Sequence, residues 1–333
     1  MKEATDILAA VKRATKVVIT SHRSPDGDSV GSSLALLRFL RTLGKEAIIC
    51  HPDPAPNYLE WIKKDDSILN AEVNTELVQT SMANADLLFA LDYNHPDRMG
   101  APMANWFRES SALKVMIDHH LHPEDCVDIL ISRPDVCSTA QLIYEFIEDA
   151  GCLDQLNVAT GIPIYLGLVT DTGSFRYSSV TPKTHRILAH LLEIGVPHAD
   201  IHEATFNNNR VDKIRLRSYI LAERLEVLAD FHVAILSVTI EEMHRFHYVK
   251  GDTEGLVNEA LSLEGVNVAA FFVENETGVK ISFRSVSAVT VNTIATEHFG
   301  GGGHTNAAGG FSEESLTETI QRFKDLIPTY FHA

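Results

Sequence analysis

The sequence holds no apolar run of about 18 residues, so no membrane-spanning helix is expected. Cysteine is scarce. Cys50, Cys126, Cys137 and Cys152 are the complete set, and no two of them have C-x-x-C spacing. Four reduced thiols in a cytoplasmic protein is the reading taken. Positive charge is also short, with 28 Lys and Arg against 45 Asp and Glu and a net charge of −17. Proteins that grip long DNA or RNA carry the opposite excess. An acidic chain still binds phosphate where metal ions supply the positive charge locally, which points to a small substrate held at one site. The N-terminal stretch lacks a basic start, an apolar segment and a small-residue cleavage site, so it is read as a helix and not as a signal peptide. There is no internal repeat and no low-complexity tract.

What is present describes a soluble α/β protein. The hydrophobic fraction is 45% and the charged fraction 22%, and 333 residues suffice for two domains with separate cores. In the first part, short β-rich runs alternate with helical runs. Strands are expected at Val17–Ser21, Ala47–Cys50, Asp86–Leu91, Lys114–Ile117 and Val127–Ile131. Helices are expected at Val30–Leu43, Thr139–Ala150, Val158–Val169 and Thr184–Ile194. This alternation predicts a mostly parallel sheet flanked by helices.

An interdomain connection is placed in the polar stretch from Pro197 to Arg210, followed by one long amphipathic helix over Asp212–Leu228. Beyond it, strands at Val233–Val238, Val268–Val273 and Val279–Ser285, a hairpin turn at Asn275–Gly278, and helices at Thr290–Phe299 and Leu316–Tyr330 predict a smaller α+β domain. The expected division is residues 1–200, a linker helix region at 201–228, and residues 229–333, with a cleft between the domains.

Four motifs carry ligand chemistry. His22-Arg23-Ser24-Pro25-Asp26-Gly27-Asp28 follows directly on a strand, at the end of the sheet where open α/β folds bind ligands. The plainer reading is a turn with Asp28 or Ser29 capping the next helix. Asp92 follows the strand ending at Leu91; alone it would pass for a turn residue. Asp118-His119-His120 follows another buried strand. Asp171 ends an apolar helix, where an acid opposes the helix dipole at a cost of roughly 0.3 kcal/mol or more. Taken together, the aspartates of these motifs, gathered with their histidines at one sheet rim, would repel each other without cations. Two divalent ions about 3.5–4 Å apart resolve that repulsion, and mixed imidazole and carboxylate ligation suits Mn²⁺ better than Mg²⁺.

In the C-terminal part, the run Gly300–Gly303 with His304 and Asn306 lets backbone N–H groups approach an anion, and Arg284 on a preceding strand could clamp a phosphate. A helix C-cap is the plainer reading of the glycines. The basic segment Arg210, Lys213, Arg215 and Arg217 is read as a solvated helix face. Phe175-Arg176-Tyr177 could stack a base, with core packing of Phe175 as the alternative.

These motifs resemble the four signatures of the DHH phosphoesterases, and the glycine run with Ala307-Ala308-Gly309 resembles the signature of the DHH-associated C-terminal domain. The resemblance covers nearly the whole chain and is nearest to the bacterial oligoribonuclease (nanoRNase)/pAp phosphatase group. It implies that His22 and Asp26 hold one metal, that Asp28, His119 and Asp171 hold a second, and that Asp92 bridges both. Asp118 would orient a histidine and His120 would face the substrate phosphate, so Asp92, Asp118 and His120 are the catalytic candidates. Arg284, Gly301, Gly302, Gly303, His304 and Asn306 would grip the substrate's far end.

The implied cofactors are two divalent cations, Mn²⁺ first, with Mg²⁺ or Co²⁺ as substitutes. The implied reaction is metal-assisted hydrolysis of pAp and of oligoribonucleotides of about two to five residues, since an acidic surface disfavours longer strands. Linear dinucleotides, pyrophosphate or polyphosphate are the alternative substrates, and an inactive nucleotide-binding module is the rival from another class. The expected partner is a small nucleotide or a very short RNA or DNA strand, with neither long nucleic acid nor a membrane; a homodimer is left open.

Overall fold

The computed structural model describes residues 2–63, 66–286 and 289–331. The chain separates into two compact units, one running to Asn208 and the other starting at Asn209.

The first unit contains α1 (Lys2–Arg13), β1 (Val17–Thr20), α2 (Gly27–Thr42), β2 (Ala47–His51), α3 (Glu60–Lys63), β3 (Ile68–Asn70), α4 (Thr75–Ala83) and β4 (Leu87–Leu91). It continues with α5 (Ala101–Glu109), β5 (Leu113–Asp118), β6 (Ile129–Ser132), α6 (Thr139–Asp149), α7 (Val158–Asp171), α8 (Pro182–Glu193) and α9 (His198–Phe206). The six strands form one sheet in the order β3-β2-β1-β4-β5-β6, and every neighbouring pair is parallel. Both faces are covered, as an all-parallel sheet requires. Ile19, Phe89 and Ile117 pack with α2, α6 and α7 on one face, whereas Val18, Leu88 and Met116 pack with α4 and α5 on the other. That alternation is the two-residue period of a strand written into apolar runs.

Chain order reverses between β1 and β4. Loops there diverge to opposite faces of the sheet and leave a crevice at the carboxyl ends of the strands. Register then sets what meets in it. Val17 is level with Leu87 and Leu91 with Ile117. Continuing both ladders brings His22 level with Asp92, and Asp92 level with Asp118.

Close packing of α2 on α7 brings in the remaining acid. A Cβ on Gly31 would stand 2.6 Å from the Pro163 carbonyl, and one on Gly167 would stand 2.6 Å from Asp28 Oδ1. The bare glycines therefore let Asp171, at the end of α7, reach the neighbourhood of Asp28.

The second unit contains α10 (Val211–Glu223), β7 (Leu225–Leu228), β8 (Val233–Val238), α11 (Ile240–Arg245), α12 (Leu256–Leu261), β9 (Val268–Asn275), β10 (Gly278–Ser285), α13 (Asn292–His298), β11 (Gly302–His304), β12 (Ala307–Ser312) and α14 (Leu316–Tyr330). Its mixed sheet has the order β11-β12-β10-β9-β8-β7. Phe272 and Phe283 pack with Phe323 of α14 on one face, and Leu236 and Phe271 pack with α10 and α12 on the other.

Two expectations from sequence are corrected here. The helix expected over Asp212–Leu228 stops at Glu223, because Leu225–Leu228 is drawn into the edge of the sheet by antiparallel pairing with β8. The glycine run is not an open loop throughout, because Gly302–His304 is a strand paired with β12.

Candidate metal centre

Loop geometry after each strand of the crevice fixes one or more polar side chains. Asp26 is the N-cap of α2, its Oδ1 accepting the backbone N–H groups of Asp28 and Ser29 at 3.0 Å each. The cap is thus Asp26, not Asp28 or Ser29. Asp28 is buried and looks outward from its own helix to the start of α6. Its Oδ2 accepts the Thr139 N–H at 2.6 Å and its Oδ1 the Ala140 N–H at 2.8 Å. Unsatisfied N–H groups at a helix start favour a negative charge, and Asp28 occupies that position. Asp92 sits at φ 64°, a left-handed conformation that is strained for most L-residues and best tolerated by Asn and Asp. His22 is oriented by its Nδ1, 2.7 Å from the Arg23 carbonyl, and His119 by its Nδ1, 3.3 Å from the Val136 carbonyl. In both, Nε2 is left to face the carboxylates.

These side chains converge. His22 Nε2 is 3.3 Å from Asp92 Oδ2. On the other side of the same carboxylate, Asp92 Oδ1 is 3.5 Å from His119 Nε2. The latter nitrogen also lies 3.5 Å from Asp171 Oδ2 and 3.9 Å from Asp28 Oδ2. Two trios follow, His22 with Asp26 and Asp92, and Asp28 with His119 and Asp171; within each, one potential ligand atom per residue lies within 4.8 Å of the others. Asp92 therefore turns one oxygen to each trio. A third group joins Asp92, Asp118 and His120. Its tightest contact is His120 Nδ1 to Asp118 Oδ1 at 2.7 Å, with the His120 N–H donating to Asp118 Oδ2 at 3.1 Å.

Electrostatics make the crowding costly. His22, Asp28, Asp92, Asp118 and His119 are each less than a tenth exposed. Burial alone would hold His22 neutral. Its hydrogen bond to Asp92 and the charges of Asp26 and Asp92 outweigh that and raise it to about 9. Burial likewise disfavours a charged His119, but Asp92, Asp171 and Asp28 push its proton affinity well up. Burial, with the charges of Asp92 and Asp171, drives Asp28 well above the usual carboxylate range. Burial opposes ionisation of Asp92 too, but hydrogen bonds from His119 and His22 hold it well below that range. The cluster thus calls for compensating positive charge at its centre. The donor set answers to divalent cations: imidazole nitrogens and carboxylate oxygens in two trios about one shared carboxylate.

Support that the sequence reading missed includes Thr139, whose Oγ1 donates to Asp92 Oδ1 at 3.0 Å. The Ser138 side chain caps α6 at the Gln141 N–H, so Ser138-Thr139 before a helical run was the available signal.

The C-terminal candidates lie together at the edge of the second sheet. Arg284 and His304 are both paired with Ala307, from opposite sides. Directly opposed residues share a face, so the two side chains share one about two strand spacings apart, roughly 9.5 Å. The glycines have a packing reason. A Cβ at Gly301 would stand 1.8 Å from the Gly309 carbonyl oxygen, and one at Gly303 would stand 2.4 Å from that of Ala307. The Asn306 amide donates to Ser285 Oγ at 2.9 Å and to the Val289 carbonyl at 3.0 Å, pinning the hairpin. Of the basic segment, Arg210 pairs with Asp252 and Arg217 with Glu259. Phe175 packs against Tyr165 and the core.

Residues 16–169 match the model of the DHH family, N-terminal domain, and residues 232–333 match the DHHA1 domain. A Thermus thermophilus protein described as a bifunctional oligoribonuclease and PAP phosphatase, NrnA, is 32% identical over 93% of this chain and 87% of its own length. A crystal structure of an exopolyphosphatase-related protein from Bacteroides fragilis superposes with a TM-score of 0.94 and 36% identity, covering 99% of this chain and 96% of that one. The exonuclease RecJ from Thermus thermophilus, solved with Mn²⁺, has a TM-score of 0.54 at 13% identity, covering 99% of this chain and 54% of RecJ. RecJ shares the fold, and its own structure holds a divalent metal.

Proposed function

On the premise that this chain belongs to the DHH family of phosphoesterases and carries a DHHA1 domain, we propose that it hydrolyses very short oligoribonucleotides and pAp to mononucleotides. The observation that carries this reading is the Asp92 carboxylate, with one oxygen toward His22 and the other toward His119.

In this reading His22, Asp26 and Asp92 hold one divalent cation, and Asp28, His119 and Asp171 hold a second that shares Asp92; Mn²⁺ is the ion proposed. Such a pair of ions neutralises charge on the phosphoryl oxygens and makes water more acidic. The protein's part is positional. The Arg23 and Val136 carbonyls set the rings of His22 and His119, as partners beyond the ligands do at many metal sites. The α6 N–H groups and Thr139 hold the Asp28 and Asp92 carboxylates in place. Asp118 accepts from His120 Nδ1, so the other ring nitrogen faces the substrate. A proton held there serves the leaving-group oxygen. Arg284 and His304 are the candidates for the far end of the nucleotide.

Support for a small substrate comes from the net charge of −17 and from the activities by which the Thermus relative is described. The test is phosphate or mononucleotide release from pAp, pApA, short RNA and pyrophosphate, with Mn²⁺ and with Mg²⁺, using Asp92→Ala as control. Faster turnover of pyrophosphate than of every nucleotide would replace this reading with inorganic polyphosphate hydrolysis. No turnover of any of them would leave a nucleotide-binding module.

A further inference from the structure

Two arginine side chains at the crevice have no task in the account above. Arg23 follows His22 in the loop after β1. Arg98 lies in the short turn of 3-10 helix Pro96–Met99 that follows Asp92. Because β1 and β4 are neighbours, these loops meet, and the Arg23 N–H donates to the Arg98 carbonyl at 2.8 Å. Both side chains are exposed, and neither makes an ion pair among the described residues. Elsewhere in this unit Arg38 and Arg41 share Asp66, Arg108 pairs with Asp97 and Arg133 with Asp135. Asp97, the acid next to Arg98, is thus already engaged by Arg108 at 2.6 Å.

Gly100 keeps room for Arg23. It sits at φ 81°, and a Cβ there would stand 3.0 Å from Arg23 Cδ. The charge of Arg98 is felt by His22, whose proton affinity it lowers. So two guanidinium groups without an ion-pair partner among the described residues are carried by the two adjoining loops that also carry His22 and Asp92.

We propose that Arg23 and Arg98 form a phosphate-binding pair that takes a phosphate of the substrate other than the one being hydrolysed. The proposal rests on the phosphoesterase reading and deepens it. The scissile group belongs among the buried carboxylates and imidazoles, where cations meet its charge. A further phosphate, such as the 5′-phosphate of pApA, needs its own countercharge outside that cluster. A guanidinium supplies it with a planar fork of donors matched to phosphate oxygens. The pair therefore selects substrates that carry a terminal phosphate.

The experiment compares pApA with ApA, which lacks that phosphate, as kcat/KM with Mn²⁺ for the wild type, Arg98→Ala and Arg23→Ala. The wild type is expected to prefer pApA by about 10- to 100-fold, the range for hydrogen bonds to charged groups. Each alanine variant is expected to erase most of that preference, mainly through KM for pApA, and Arg98→Ala is expected to change ApA turnover less than about threefold. Arg98→Lys keeps a charge without the fork and should fall between; it serves if Arg98→Ala fails to fold. A wild type without preference, or a preference that survives in the variants, overturns the pair. If the wild type cleaves neither dinucleotide, the phosphoesterase reading is what fails. The pair is then judged by calorimetry with 5′-AMP against adenosine. Phosphate-dependent binding lost in Arg98→Ala upholds it, and binding unchanged by the substitution rejects it.

Discussion

The His/Asp cluster of the first unit and the glycine-rich hairpin of the second are both rich in ligand-type residues, but different forces hold them. In the cluster, carboxylates and imidazoles are buried together, Asp92 takes a left-handed backbone, and the proton affinities of His22, His119 and Asp28 are forced upward. Burial of Asp28 and the left-handed backbone of Asp92 cost folding free energy, and the raised proton affinities of His22 and His119 show how strongly the carboxylates draw positive charge. In the hairpin, the glycines are required by backbone contacts, and the Asn306 amide has partners within its own fold. Residues that strain a fold point to ligand chemistry; residues that satisfy it need no ligand to explain them. By that measure Asp92 calls for a ligand and the hairpin glycines do not, so the nucleotide contact proposed for the second unit is left to Arg284 and His304.

Two substitutions can break this comparison. Asp92→Asn keeps the shape but removes the shared charge. Turnover is expected to fall by at least about 10³-fold, as when a central electrostatic group is removed from an active site. The melting temperature of the metal-free protein should fall as well, because His22 and His119 lose the buried carboxylate that pairs with them. Activity within tenfold of wild type, read against Mn²⁺ binding by calorimetry, would remove Asp92 from the centre. Gly301→Ala is the converse. Its methyl group would have to displace the Gly309 carbonyl, so a loss of about 3 kcal/mol is expected from overpacking, measured by denaturant unfolding. A Gly301→Ala protein of wild-type stability but raised KM would instead make that glycine a ligand contact.

The candidate cluster was legible because much of it stands where strands end. His22 and Asp92 each follow an apolar run and Asp118 closes one, and the run fixes the position. What the sequence hid lies in pairings far along the chain. Asp28 is satisfied by Thr139 and Ala140, more than a hundred residues on, and nothing local announces that. Gly31 against Gly167 is another such contact. Leu225–Leu228 continues a helical apolar pattern and becomes a strand only because β8 offers it an edge. Ala307–Ser312 has weak strand propensity, with Gly309 and Gly310 at its centre, yet β10 and β11 pair with it on both sides. In each case tertiary pairing overrode local preference.

His51 sharpens the comparison from within the first unit, since it is buried polar chemistry that is no candidate ligand. It ends β2, is fully buried, and has Nε2 3.1 Å from Ser33 Oγ, while Nδ1 has no hydrogen-bond partner among the described residues. Burial, aided by the charge of His22, lowers its pKa to about 3. The folded value lies below the unfolded one near 6.5. Stability from a neutral His51 is therefore present above about pH 6.5 and is lost as pH falls toward 3, at up to about 1.4 kcal/mol per pH unit for one proton. His51→Gln cannot titrate. Unfolding free energies of the two proteins between pH 7 and 4.5 should thus converge as the pH drops. Parallel curves would mean that His51 takes up its proton as readily in the fold as in the unfolded chain, so that burial there carries no penalty.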